Sequence, residues 1–365
     1  MQKVSIGVIG CGNISRAYLT AAQGFPVLDI KAVADLDMSA AEAKAAEFGL
    51  KAMTVDALLA DPSIELVLNL TIPAAHVSVG LATLRAGKHA YSEKPLGIDF
   101  SEARTLIAEG ERLGLRVGCA PDTFLGGGHQ TARDVIDSGV LGEPVGGTAF
   151  FMCPGHERWH PNPDFYYKAG GGPLLDMGPY YITDLVNLLG PVARVSGMAP
   201  KPRPQRTITS EPRKGEIIDV EVPTHIVGLL EFQSGAVATI TTSFDVAGHK
   251  HLPIEIYGTE ASLLVPDPNK FGGEVMLLKK GGEWTEVPVE RPFADGNYRS
   301  LGLADMAAAI REDRPHRASG ALALHVLEVM DAIGRAIANG KIVDITTRPD
   351  RPEPLAASRP LERAA

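Results

Sequence analysis

The stretch Val4-Ser5-Ile6-Gly7-Val8-Ile9-Gly10-Cys11-Gly12-Asn13-Ile14-Ser15 decides how the rest of the chain reads. Val4 to Ile9 is a short apolar run rich in β-branched residues, suited to a strand covered on both faces. It stops at a glycine turn, and a helical stretch from Ile14 to Gln23 follows. That order puts a helix N-terminus, with its unpaired N–H groups and positive dipole end, where a phosphate can sit. Gly10 permits the tight turn, and Gly12 lets backbone approach a pyrophosphate where Asn13 and Ile14 open the helix. Ser15 stands where such fingerprints carry a third glycine or an alanine, so helix-to-strand packing has to take a hydroxymethyl group.

Outward from this turn the rhythm repeats. Apolar runs at Leu28 to Ala34, Ile64 to Leu70, His89 to Tyr91 and Arg116 to Ala120 alternate with helical stretches at Ser39 to Phe48, Ala74 to Ala86 and Ser101 to Leu113. Ser39 with Glu42 reads as a capping box, and Gly49 and Gly87 stand where helix ends need a left-handed residue. The alternation predicts an α/β Rossmann unit, a doubly wound parallel sheet, over residues 1–122. Asp35 lies at the end of the second strand, 23 residues past Gly12, where a carboxylate accepts ribose hydroxyls. The same carboxylate repels a 2′-phosphate, and Leu36, Asp37 and Met38 supply no arginine, which favours NAD over NADP. Lys31 and Arg16 are the cations that folding could bring closer than sequence does.

After Ala120 the pattern changes. A helix from about Gln130 to Ser138, a strand near Val145 to Met152, a glycine-rich break at Gly170 to Gly172 and a helix from about Pro179 to Leu189 come first. Two-residue alternation then marks strands at Thr224 to Phe232, Ala236 to Phe244, Ile254 to Tyr257 and Ser262 to Val265, with Ser234-Gly235 as a hairpin turn. Residues 123–345 are therefore expected to form an α+β domain with a large, mostly antiparallel open sheet. Pro200 to Glu216 reads as an exposed loop, 301–339 as helical, and 346–365 as an extended or disordered tail. A sheet face free of helices calls for a homodimer or homotetramer built through it.

Composition bounds the partners. The 365 residues are 45% apolar and 22% charged with a formal net charge of -9, which fits a soluble two-domain protein and opposes nucleic acid or an anionic membrane as partner. Cys11, Cys119 and Cys153 are odd in number and far apart, as reduced core residues are. The N-terminal run lacks a cleavage site, and Asn69, Pro73 and His76 interrupt the uncharged stretch from Leu66 to Leu84, so a cytoplasmic location is expected.

Two further turns fall at strand ends, Asn69-Leu70-Thr71-Ile72-Pro73 and Ser92-Glu93-Lys94-Pro95. In an open parallel sheet ligands lie beyond the carboxyl ends of the strands, so Thr71, Pro73, Glu93 and Lys94 are expected at the nicotinamide end of the cofactor. His76 either buttresses that turn or is a satisfied structural histidine. Together with the fingerprint and Asp35, these residues resemble the glucose-fructose oxidoreductase, inositol dehydrogenase and MocA (Gfo/Idh/MocA) family. The likeness continues through Gly170-Gly171-Gly172-Pro173-Leu174-Leu175-Asp176-Met177-Gly178-Pro179-Tyr180 into Asp184 and spans roughly residues 3–340.

The resemblance implies an NAD-dependent oxidoreductase acting on a CH–OH group of a sugar or sugar-like polyol. Lys94 and Asp176 match catalytic positions, and Tyr180 stands where many members have histidine. A tyrosine can act as acid/base there if the Lys94 ammonium and a positive nicotinamide favour its phenolate; Lys94 itself is the competing proton-transfer group. Asp184 is either a helper or a solvated charge. From His156-Glu157-Arg158-Trp159-His160, Trp159 and His160 are the candidates for substrate contact, with Asp122 and Thr123 behind them. No histidine spacing matches a metal ligand set. A reductase or dihydrodiol-type dehydrogenase, an NAD-dependent glycosidase with transient C3 oxidation, and a non-catalytic dinucleotide-binding sensor stay open as rivals.

Overall fold

The computed structural model describes residues 2–200 and 203–356, which fall into two compact units. One comprises the chain up to Gln130, Arg291–Leu327 and the stretch from Pro352; the other comprises Thr131–Glu290 and Glu328–Arg351. Residues 291–327, expected in the second domain, thus belong to the first. A reading in chain order could not show this return.

The first unit opens with β1 (Val4–Ile9), α1 (Asn13–Ala22), β2 (Leu28–Ala34), α2 (Met38–Phe48), β3 (Lys51–Met53) and α3 (Val55–Ala60). It continues through β4 (Leu66–Asn69), α4 (His76–Arg85), β5 (His89–Ser92), α5 (Phe100–Leu113) and β6 (Val117–Cys119). The six strands are parallel in the order β3-β2-β1-β4-β5-β6, the doubly wound arrangement expected. The short β3 and α3 were not anticipated: Lys51-Ala52-Met53 is too brief for a periodic signal. Asp37, rather than Ser39, caps α2, its carboxylate accepting from the Ser39 N–H at 3.0 Å. The capping-box reading fails because α2 starts at Met38, which puts Asp37 at the N-cap and Ser39 inside the first turn.

Then follow α6 (Gly127–Asp137), β7 (Pro144–Met152), α7 (Pro173–Leu189), β8 (Val192–Met198), β9 (Gln205–Thr207) and β10 (Ile217–Asp219). Next come β11 (His225–Phe232), β12 (Val237–Ser243), β13 (Ile254–Gly258), β14 (Ala261–Val265), β15 (Met276–Lys279) and β16 (Trp284–Glu286). The chain closes with α8 (Leu301–Glu312), α9 (Gly320–Asn339) and β17 (Val343–Asp344). The second unit holds a nine-stranded sheet in the order β16-β15-β14-β13-β7-β12-β11-β8-β17, antiparallel except for the β7–β12 pair. Along β11 and the first half of β12 alternate side chains divide between the two faces. Ile226, Leu230, Ala238 and Ile240 are buried, while Val227, Leu229 and Val237 are exposed.

Two segments differ from expectation. The loop at 200–216 contains β9, which pairs with β10. The stretch 346–356 is extended but anchored: Glu328 accepts from the N–H groups of Thr346 and Thr347, and Leu355 is buried with its N–H donated to Gln130. The remainder of the expected tail lies outside the described residues. Among the described residues no helix is long and apolar enough to cross a membrane.

Candidate active site

The glycine turn has the shape a dinucleotide needs. Gly10 has φ +105°, and a Cβ there would stand 2.6 Å from the Leu70 carbonyl, so only glycine lets the β1 and β4 ends approach so closely. A Cβ on Gly12 would meet nothing, which leaves the turn open beside the first N–H groups of α1 at Asn13 and Ile14. Ser15 is fully buried and folds its hydroxyl back onto the Gly12 carbonyl at 2.6 Å, which is how the packing accommodates it. Asp35 sits half-buried just past β2, accepting from the N–H of Cys11 at 2.8 Å and of Asp37 at 3.0 Å. These residues fit an NAD adenosine half: open backbone donors for phosphate and a carboxylate for the ribose. Arg16 pairs with Glu47 and Lys31 with Asp29, so each of these two cations has a carboxylate of its own. Sequence reading missed Leu36 and Ile72, just past β2 and β4, which are 97% and 70% exposed and offer apolar surface at this sheet edge.

The turns after β4 and β5 are tied together. Asn69 accepts from the N–H and hydroxyl of Thr71, and its amide donates to the His76 carbonyl. The buried His76 ring sets Nδ1 2.6 Å from the Pro95 carbonyl and Nε2 3.0 Å from the Thr71 carbonyl. Burial holds this imidazole below its ordinary pKa despite both carbonyls, so it acts as the buttress between the two turns. Glu93 is buried, its carboxylate accepting from the Tyr18 hydroxyl at 2.8 Å and the Lys94 N–H at 2.8 Å. Lys94, half-buried, precedes Pro95 through a cis peptide bond.

Asp122 has a structural occupation that differs from the substrate contact expected of it. Its Oδ2 accepts from the N–H groups of Ser300 and Gly302 at 3.1 and 2.9 Å, capping α8, and the side chain is 1% exposed. Burial pushes this carboxyl up to about 6, against the two N–H donors. Thr123 is likewise buried.

In the second unit the glycine run ends at Gly172, whose φ of +92° turns the chain into α7 with Pro173 in the first helical position. The helix therefore begins six residues before the predicted Pro179, which lies inside it and not in its first turn. Pro179 leaves the Leu175 carbonyl without its helical donor one residue before Asp176. Asp176 and Tyr180 are one turn apart on the same helical face. Tyr180, Tyr181 and Asp184 are all buried, since α7 is covered on every side from Met177 to Leu189. Asp184 is thus no solvated charge; it accepts from the Asn187 amide at 3.3 Å.

Asp176, half-buried, receives His156 Nε2 at 3.1 Å, and Trp159 Nε1 donates to His156 Nδ1 at 3.1 Å. His156 borders a cleft of about 560 Å³ lined also by Phe151, Cys153, Gly155, Arg158 and Trp159. Trp159 is 61% exposed there; His160 stands edge-on to it, with ring centroids 5.3 Å apart, and burial lowers its pKa. Beneath the segment, Glu157 accepts from Arg206 at 2.7 Å and from the Tyr167 hydroxyl, while Arg206 also reaches Asp245 and the Phe244 carbonyl. This buried ionic cluster fixes the backbone that carries His156 and Trp159. Among the described residues no cluster of three or more His, Cys, Asp or Glu could hold a metal.

A dinucleotide cradle on a doubly wound sheet, followed by a unit built on a mixed sheet, defines the class of NAD-binding oxidoreductases. The chain belongs to the Gfo/Idh/MocA family. Residues 4–120 match the oxidoreductase family's NAD-binding Rossmann fold, and residues 129–264 match a GFO/IDH/MocA C-terminal domain. The chain is 27% identical to 1,5-anhydro-D-fructose reductase of Ensifer adhaerens, covering 93% of this chain and 98% of that one. It is 28% identical to dTDP-3,4-didehydro-2,6-dideoxy-alpha-D-glucose 3-reductase of Saccharopolyspora spinosa, covering 92% and 98%. Levoglucosan dehydrogenase, solved in complex with NADH and levoglucosan, shares the fold at a TM-score of 0.82 and 21% identity over 95% of this chain and 100% of that one.

Proposed function

We propose that the protein interconverts a CH–OH group and a carbonyl on a sugar or sugar-like polyol, with NAD as hydride carrier. When bound, the nicotinamide supplies the hydride acceptor at its C4. The chain's own residues handle the proton: Tyr180 takes it from the substrate hydroxyl, and Lys94 and Asp176 orient the oxygen and favour the phenolate. The observation that carries this reading is the spacing of Asp176 and Tyr180 on one face of α7, a carboxylate and a phenol one turn apart. Trp159 supports a sugar as substrate, because an exposed indole face offers the flat apolar surface that C–H edges of a pyranose pack against. Sugar reductases such as the two relatives named above favour the reductive direction as a second reading. Association of two copies through the face bearing Val227, Leu229 and Val237 goes with this proposal, and light scattering tests it.

The test is NADH formation with a sugar panel and NADH consumption with the corresponding keto sugars. Tyr180→Phe and Lys94→Ala should each lower kcat by roughly 10²- to 10⁴-fold, the usual worth of a positioned proton-transfer group, with NADH still bound. Near-normal turnover of Tyr180→Phe would hand the proton to Lys94 and overturn the role given to the tyrosine.

A further inference from the structure

We infer that His156 is a positioning residue for Asp176, locked by Trp159 in one tautomer; the inference rests on the role proposed above for Asp176. The chain of contacts has a direction. An indole nitrogen can only donate, so the Trp159 Nε1–H aimed at His156 Nδ1, 3.1 Å away, requires a lone pair on Nδ1. The imidazole then carries its hydrogen on Nε2 and donates it to Asp176 Oδ2 at 3.1 Å. Asp176 is therefore met by a neutral N–H donor and not by an imidazolium, and one of its oxygens has a fixed direction.

The ring cannot turn away easily. His156 is buried, Tyr166 stands edge-on to it with centroids 4.4 Å apart, and Phe244 lies tilted at 4.5 Å. Its backbone N–H donates to the Tyr167 hydroxyl at 3.1 Å, which ties it to the Glu157–Arg206 cluster. Only Trp159 at the end of this relay is well exposed, in the cleft. A ligand that packs on that indole thus touches the group that sets the histidine's tautomer. Substrate contact and carboxylate orientation are coupled through two hydrogen bonds.

Two measurements on the full chain decide the matter. In protein labelled with ¹⁵N-histidine at pH 7.5, the His156 signal, identified by its loss in His156→Gln, should show the Nε2–H pattern, and Trp159→Phe should admit the other tautomer. An Nδ1–H form or an imidazolium in the wild type overturns the inference. The second is a double-mutant cycle in turnover of levoglucosan with NAD and of 1,5-anhydro-D-fructose with NADH. His156→Leu should lower kcat about 10- to 100-fold, the worth of one hydrogen bond to a charged group, with KM little changed. His156→Gln, which keeps an N–H donor, should recover most of that loss. Once Asp176→Ala has removed the acceptor, His156→Leu should cost nothing more. Losses that multiply while Asp176→Ala is itself slow overturn the positioning role alone. Full turnover of Asp176→Ala overturns the role given to Asp176 and the inference with it.

Discussion

Tyr18 Oη donates to Glu93 Oε1 across 2.8 Å, joining the helix that opens at the glycine turn to the residue before Lys94. Both side chains are buried, and burial, then the Glu93 charge, hold the Tyr18 phenol well above its ordinary pKa, so it remains a donor. Tyr18→Phe leaves a buried carboxylate oxygen short of a partner. Urea unfolding should show a loss of about 1–3 kcal/mol. NADH titration should show severalfold weaker binding, because the Lys94 backbone hangs from the other oxygen of Glu93. Unchanged stability and affinity would mean that the bond holds nothing in place.

In the function proposed above, Asp35 makes the choice of cofactor. Its carboxylate is oriented by two backbone donors, and Arg16 and Lys31 are each paired with another acid. Asp35→Ser removes the repulsion toward a 2′-phosphate and the acceptor for the ribose together. The ratio of NADH to NADPH affinity, read by fluorescence titration, should move toward NADPH by about tenfold or more, some 1.4 kcal/mol. A ratio that stays put would place the discrimination elsewhere.

The first unit was legible because its signals are local. Each strand of β1, β2, β4 and β5 is an apolar run bounded by a turn, and Gly10, Gly12 and Asp35 stand at spacings that the fold imposes. The start of α7 was misplaced because Pro179 looks like a helix beginning, while Gly172-Pro173 performs that function. Asp184 was misjudged for a related reason: apolar spacing finds one packed face, and α7 is packed all round. His156 went unnoticed as a partner of Asp176 because the two lie 20 residues apart and meet only through folding. Asp122 read as a cleft residue until α8 arrived from 178 residues downstream to place its N-terminus on it.

The thiols should be inert. Burial pushes Cys11 up to about 11 and Cys119 up to about 12, and it raises half-buried Cys153 as well. Only a thiolate reacts readily, so its population at neutral pH is very small at all three. Titration with an aromatic disulfide at pH 7.5 should show slow labelling of the native protein and three equivalents at once in urea. Fast native labelling of Cys11 would show that the glycine turn opens more readily than its packing suggests.

Asp122 predicts the sign of one pH effect. Its carboxyl titrates near 6 when folded and near 4 when unfolded, so between those values the native state holds a proton that the unfolded chain has released. Stability from this group is therefore fully present below about pH 4 and falls as pH rises through about 6. Asp122→Asn keeps an acceptor for the Ser300 and Gly302 N–H groups but has no proton to lose. Comparing the two proteins by urea unfolding at pH 4.5 and 7.0, the wild type should lose roughly 2 kcal/mol relative to the variant on going to the higher pH. A difference of the opposite sign would mean that the two backbone donors outweigh burial and hold Asp122 ionised beneath α8.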